Sequence, residues 1–239
     1  MQAVAFVMVG TMLAGCSMGQ DDGPGVTPTG SGTTRSYAVT DFSKIDLTGS
    51  DEVEVRAGKA FSVRAEGKPE DLDTLRIARD DETLAIGRKR SLRWGHGGKV
   101  TVYVTLPRLT EASITGSGTM AVDRVSGDAF KADVRGSGDL NIAALMTDRA
   151  EVSIAGTGNV RAGGAVKDLA VEVAGTGSLD AAGLRVERAD VSVTGTGDVR
   201  AAVSGTAKVQ VAGTGDVDLG AAARCTVSNT GTGSVRCGR

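Results

Sequence analysis

Side chains able to do chemistry are few in this chain and poorly matched to one another. His96 is the only histidine. It leaves one candidate base for a Ser–His couple and rules out a histidine-rich metal centre. The serines of the repeated segments stand as Gly-Ser-Gly, at Ser117 and Ser137, and not in a nucleophile elbow. Acidic or amide residues follow several Gly-(Ser/Thr)-Gly triplets, at Asp139, Asn159, Asp198 and Asp216. Asp198 and Asp216 make the best calcium pair. Against that, calcium-binding nonapeptide arrays repeat every nine residues or so, and an aspartate at a corner more often accepts backbone amides. The run Arg88-Lys89-Arg90-Ser91-Leu92-Arg93-Trp94-Gly95-His96-Gly97-Gly98-Lys99 contains the only tryptophan. Its candidate anion-binding set is Arg88, Lys89, Arg90, Arg93, Trp94 and Lys99, with guanidinium forks for anionic glycan or lipid phosphate and the indole for stacking. The plain alternative is a solvated connection between strands.

The elements that must carry these groups follow from a repeat. Gly-(Ser/Thr)-Gly occurs seven times, at 116–118, 136–138, 156–158, 175–177, 195–197, 213–215 and 231–233. The spacings are 20, 20, 19, 20, 18 and 18 residues. A fixed period of this length is the signature of a solenoid. Before each triplet apolar and polar residues alternate, as in Val191-Ser192-Val193-Thr194 and Val209-Gln210-Val211-Ala212, the period-2 pattern of a half-buried strand. The aliphatics are mostly β-branched, which suits strands. One strand pattern recurring at one coil length predicts winding in a single direction, each strand parallel to its copy about 4.8 Å away. This is an all-β, single-stranded parallel β-helix with 18–20-residue coils, each of two or three short strands. Glycines flanking each corner allow φ > 0 and a sharp bend. The hydroxyl residues Ser117, Ser137, Thr157, Thr176, Thr196, Thr214 and Thr232 would then form one column. Seven copies without a helix do not suit a phosphate loop. Glycine at the bend, and alanine or arginine before four of the seven triplets, break up any flat threonine face of the ice-binding kind.

The segment Ile45-Asp46-Leu47-Thr48-Gly49-Ser50-Asp51-Glu52-Val53 repeats the pattern, with Asp51 in place of the second glycine. Aspartate tolerates a left-handed backbone better than most residues, which makes the replacement plausible. Further strands are expected at 53–56, 61–65, 74–78, 83–86 and 99–106. The expected organisation is a leader at 1–15, a flexible tether at 16–36, irregular β coils at 37–111 and a regular solenoid at 112–239. Composition supports the tether, which is rich in Gly, Thr, Ser, Asp and Pro. With a net charge of −2 the chain gives no bulk reason to expect nucleic acid.

Residues 1–15 are uncharged and apolar and end in Leu13-Ala14-Gly15 before Cys16. Such a stretch reads as a secretory signal, too short to span a bilayer as a mature helix. Leu-Ala-Gly-Cys resembles a bacterial lipobox, which implies diacylation of Cys16 and membrane attachment through that lipid. Ser17 after the cysteine resembles sorting to the outer membrane. Cys225 and Cys237 flank the last corner. In an oxidising periplasm they could form a disulfide closing a loop of about 13 residues; free thiols or a metal pair are the alternatives.

Phe42-x-x-Ile45-x-Leu47-x-Gly49, Val102-x-Val104-x-Leu106-Pro107 and the corners beginning at Ile114-Thr-Gly-Ser-Gly come in an order that resembles the GIN-type head domain family of putative autotransporter adhesins. The resemblance covers about residues 36–239. It implies a right-handed β-solenoid of the bacterial envelope, often a lipoprotein, with no catalytic residues and no cofactor. A length of 239 residues leaves no room for the membrane barrel of a true autotransporter. The expected role is therefore non-enzymatic: a lipid-anchored surface for adhesion or for binding anionic glycan or envelope proteins. A carbohydrate-active β-helix, such as a polysaccharide lyase or a glycan-binding module, is the second reading, weakened by the scarcity of aromatics. A purely structural or assembly component is the third.

Overall fold

A computed structural model describes residues 25–89 and 98–238. The chain forms a β-solenoid of about six turns with coils of about 20 residues. In chain order the first half contains β1 (Thr34–Tyr37), β2 (Lys44–Gly49), β3 (Glu52–Ala57), β4 (Ser62–Glu66), α1 (Pro69–Thr74), β5 (Leu75–Asp80), β6 (Thr83–Arg88), β7 (Thr101–Leu106) and β8 (Glu111–Gly116). The second half contains β9 (Thr119–Gly136), β10 (Asp139–Gly156), β11 (Asn159–Gly175), β12 (Ser178–Gly195), β13 (Val199–Val203), β14 (Thr206–Gly213), β15 (Val217–Asp218), β16 (Arg224–Gly231) and β17 (Val235–Arg236).

The expected stacking is present. β9, β10, β11 and β12 pair in parallel, so that Leu140 lies between Met120 and Val160, and Val160 is followed by Leu179. The ladder continues through Val199 and Val217. All of these are buried. A second interior column runs Ala112, Ala132, Val152, Val171, Val191, Val209, Val227. Each aliphatic thus packs on its own kind one coil away, at roughly 1.5–3 kcal/mol per side chain buried. The expectation of two or three short strands per coil is corrected here. β9, β10 and β12 are each 18 residues long and bend without breaking. With a parallel neighbour on both sides, the ladder keeps most of the backbone paired around the bend; it slips in register between Ile142 and Leu145 and between Arg161 and Gly164, and breaks at the glycine corner. The 18-residue coils after Gly195 do break, into β13 to β17.

The N-terminal part is threaded out of order. β2 and β3 form one coil around the Gly49-Ser50-Asp51 corner. On one side they pair in parallel with β8 and β9, on the other with β6 and β7. The chain therefore makes the second coil of the stack first, then the end coil, then crosses to the far side of its own start. Antiparallel strands finish this end: β5 lies on β6, β4 on β7, and β1 on β4. Pro69 opens the short helix α1, whose first turn carries Glu70 and Asp71. The tether boundary also moves. Val26 N–H donates to the Ile77 carbonyl, and Thr29 and Ser36 exchange backbone hydrogen bonds. Residues 25–36 are thus laid on the fold, with Val26 against β5 and β1 covering the edge of β4.

Candidate functional site

Each corner is built from its glycines upward. The first glycine takes a left-handed φ at every corner, from +114° at Gly136 to +153° at Gly231. The second glycine does not, and is needed for another reason: a Cβ on Gly138 would sit 2.6 Å from the Gly118 carbonyl and 2.7 Å from Ile114 Cγ2. Coils close on one another too tightly there for a side chain. Between the glycines the hydroxyl residue is exposed, and its N–H reaches the first glycine one coil back. Thr196 N–H donates to the Gly175 carbonyl and Thr214 N–H to that of Gly195, each at 2.9 Å. The seven hydroxyl residues therefore stand in the expected column.

Asp51 departs from the expectation made for it. Its backbone is not left-handed; that conformation belongs to Gly49, at φ +120°. Its side chain points under the corner, where no tighter coil forbids it, and is 1% exposed. There the carboxylate accepts the Val100 N–H at 3.0 Å and both Nε and Nη2 of Arg88, with Nε at 2.6 Å from Oδ2. Arg88 also donates Nη1 to the Asp71 carbonyl and to Thr74 Oγ1. This removes Arg88 from the candidate anion-binding set, because its charge is already met inside the fold. Lys89 is exposed, and its Nζ donates to the Asp73 carbonyl at 2.9 Å. Lys99 is exposed. Arg90, Arg93, Trp94 and His96 lie outside the described residues, as does Cys16.

Asp198 and Asp216 sit one coil apart after their corners, as the calcium reading requires, but their oxygens face backbone. Asp198 Oδ1 accepts the Asp216 N–H at 3.0 Å, and Asp216 Oδ1 accepts the Ser234 N–H at 2.8 Å and its hydroxyl at 2.7 Å. The Ser234 hydrogen bonds hold the Asp216 carboxyl below its ordinary range. Earlier in the same column Asn159 donates to Asp139 and accepts from Ser178. Among the described residues no three acidic, histidine or cysteine side chains gather as a metal site. Cys225 and Cys237 form the disulfide anticipated from their spacing, with Cα atoms 6.2 Å apart.

What the spacing of single residues does not reveal is the pattern across coils. One outer column reads Asn141, Arg161, Asp180, Arg200, Asp218, Arg236, alternating in charge from Arg161 onward. Another reads Lys44, Glu111, Lys131, Glu151, with ion pairs of 3.7 Å between Lys44 and Glu111 and between Lys131 and Glu151. On the same face as this second ladder Arg188 grips Asp168 at 2.6 and 2.9 Å and holds that carboxyl below its usual range. Aligning the repeats at their own period is the signal that brings these ladders into register. Beside the first ladder runs an open groove of about 550 Å³ crossing several coils. Glu54, Arg56, Asp123, Asn141, Arg161 and Asp180 line it above a floor that includes Ala143 and Gly163. Its walls carry both signs of charge, Glu54, Asp123 and Asp180 with Arg56 and Arg161.

A parallel β-solenoid with glycine corners and polar ladder faces is the architecture these residues build. The chain belongs to the family described as "Putative auto-transporter adhesin, head GIN domain", which it matches over residues 41–236. Among solved structures it is similar to a putative adhesin from Bacteroides fragilis, with 22% identity and a TM-score of 0.79 over 89% of this chain and 100% of that one. A putative lipid binding protein from Parabacteroides distasonis has 19% identity and a TM-score of 0.69, over 89% of this chain and 98% of that one. A putative adhesin from Parabacteroides merdae has 19% identity and a TM-score of 0.67, over 87% and 96%. At such identities these structures establish the shared fold. No curated protein matches the chain. Membership of an adhesin family points to the envelope or cell surface, and among the described residues no helix is long and apolar enough to cross a membrane.

Proposed function

We propose that this protein is a non-enzymatic lipoprotein of the cell envelope, held at the outer membrane by a diacylated Cys16, whose solenoid binds an extended polar partner. An envelope or extracellular glycan fits best. The groove bordered by Glu54, Arg56, Asp123, Asn141, Arg161 and Asp180 supports this reading, since it offers donors and acceptors at coil spacing over a floor of small residues. Mixed charge along its walls suits hydroxyl-rich or zwitterionic sugars better than a uniform polyanion. Lys89 and Lys99 at the end of the stack leave room for an anionic terminus.

Two measurements test this. Fatty-acid labelling of the wild-type chain and of Cys16→Ser should give a labelled, membrane-associated wild type and an unlabelled, released variant. A glycan array screened with and without calcium should show binding without product. Product formation would favour a lyase, and a blank array with specific protein crosslinks would favour an assembly role.

A further inference from the structure

The two ends of the solenoid are finished differently. At the N-terminal end the antiparallel strands β1, β4 and β5 cover the stack. At the other end β16 pairs with β14 along its inner edge. Among the described residues its outer edge meets only Gly238, bridged to Arg224. From Thr226 to Gly231 the outward backbone donors and acceptors are therefore unpaired among the described residues, the arrangement that invites another strand.

The sequence of this last coil fits a particular occupant. Residues 225–235 carry no charge. Positions that hold Lys208 and Asp216 one coil earlier hold Thr226 and Ser234 here. The inward-facing column ends on Val227, which is 47% exposed because nothing stacks on it. The neighbouring inward position, aliphatic at Val193 and Val211, becomes Asn229, whose amide donates to the Gly233 carbonyl at 2.7 Å. Charges left on an edge repel an identical edge brought up across a two-fold axis; their removal from this one coil makes it compatible with itself.

We infer that the protein associates end to end with a second copy through β16, antiparallel across a two-fold axis at Val227. Only registers that pair residues of like facing keep both interiors on one side of the shared sheet. Centring on Val227 sets Val227 against its own copy and Thr226 opposite Ser228. It buries the exposed valine on its equivalent and opposes no like charges. Association of this kind is isologous and closes at two, because the capped ends are left outside.

Sedimentation of the full chain across a concentration series should show a monomer–dimer equilibrium. Val227→Lys, at a side chain already half in solvent, should keep the strand signature in circular dichroism and raise the dimer dissociation constant at least tenfold. Val227→Cys should form an intermolecular crosslink under mild oxidation, and Thr157→Cys, exposed in mid-stack, should not. A chain that stays monomeric up to about 1 mM overturns the inference. So does a Val227→Lys protein that dimerises as well as wild type. Larger open assemblies, or equal crosslinking at positions 157 and 227, overturn the two-fold register.

Discussion

The Arg88 guanidinium closes on the buried carboxylate of Asp51 beneath the first glycine corner, with Nε 2.6 Å from Oδ2. Arg88 ends β6 and Asp51 stands between β2 and β3, so this pair adds a side-chain tie to the backbone ladders that join the end coil to the coil above it. Removing either partner leaves a charge or a set of donors without its mate in a largely closed site. Arg88→Ala and Asp51→Ala should each lose about 3 kcal/mol in urea unfolding, and the double variant markedly less than the sum.

The two kinds of corner glycine should respond differently to a methyl group. Gly49→Ala meets nothing within 4 Å and pays only for its φ of +120°, about 1–2 kcal/mol. Gly138→Ala has an ordinary φ but puts its Cβ 2.6 Å from the Gly118 carbonyl, at about 3 kcal/mol. Gly136→Ala meets both, with φ +114° and a carbonyl at 2.5 Å. Thermal unfolding should therefore rank them Gly136, then Gly138, then Gly49, and a Gly49 variant as damaging as Gly136 would contradict the stacking geometry.

Reducing Cys225–Cys237, or replacing both with Ala, should loosen the last coil first. The loop it closes corresponds to about 3 kcal/mol in the chain-entropy account. In a stack where each coil touches only its neighbours, the effect stays near the end. Hydrogen exchange should speed up over 224–236 and remain unchanged over β9 to β11.

Asp216 gives the last coil a sensitivity to acid. Its folded carboxyl titrates below the usual value of about 3.9 because Ser234 donates to it twice. A depressed carboxylate stabilises the fold above its unfolded pKa, and that contribution is lost as pH falls through the folded pKa. The Ser234 amide resonance should accordingly titrate with a midpoint below that of a free aspartate, and Asp216→Asn should abolish the transition.

The regular half of the fold was legible because its information is local. Gly-(Ser/Thr)-Gly marks each bend, and alternating valines mark which side of each strand is inside. The first half was not, since nothing in the spacing of β6 and β7 says that they pair beneath β2 and β3 and not beyond them. Helix α1 was missed for want of apolar periodicity over six residues. Asp51 carried a readable signal, the one corner without its second glycine, but its meaning lay in a partner 37 residues away. Arg88, read as an exposed contact, belonged to that same pair. The charge ladders were visible in principle and become obvious once the chain is laid out one coil per row.

The out-of-order first coils set a direction for assembly. β2 and β3 leave the ribosome early, yet each waits for neighbours on both flanks that are made later, ending with β9. A nascent chain stopped before Glu111 lacks β8 and β9, the strands on one flank of its first coil, while one that has passed Gly136 holds a finished template. From there each new turn is laid on a surface already in place, so synthesis and folding run the same way along the axis, away from a clasp that must close first.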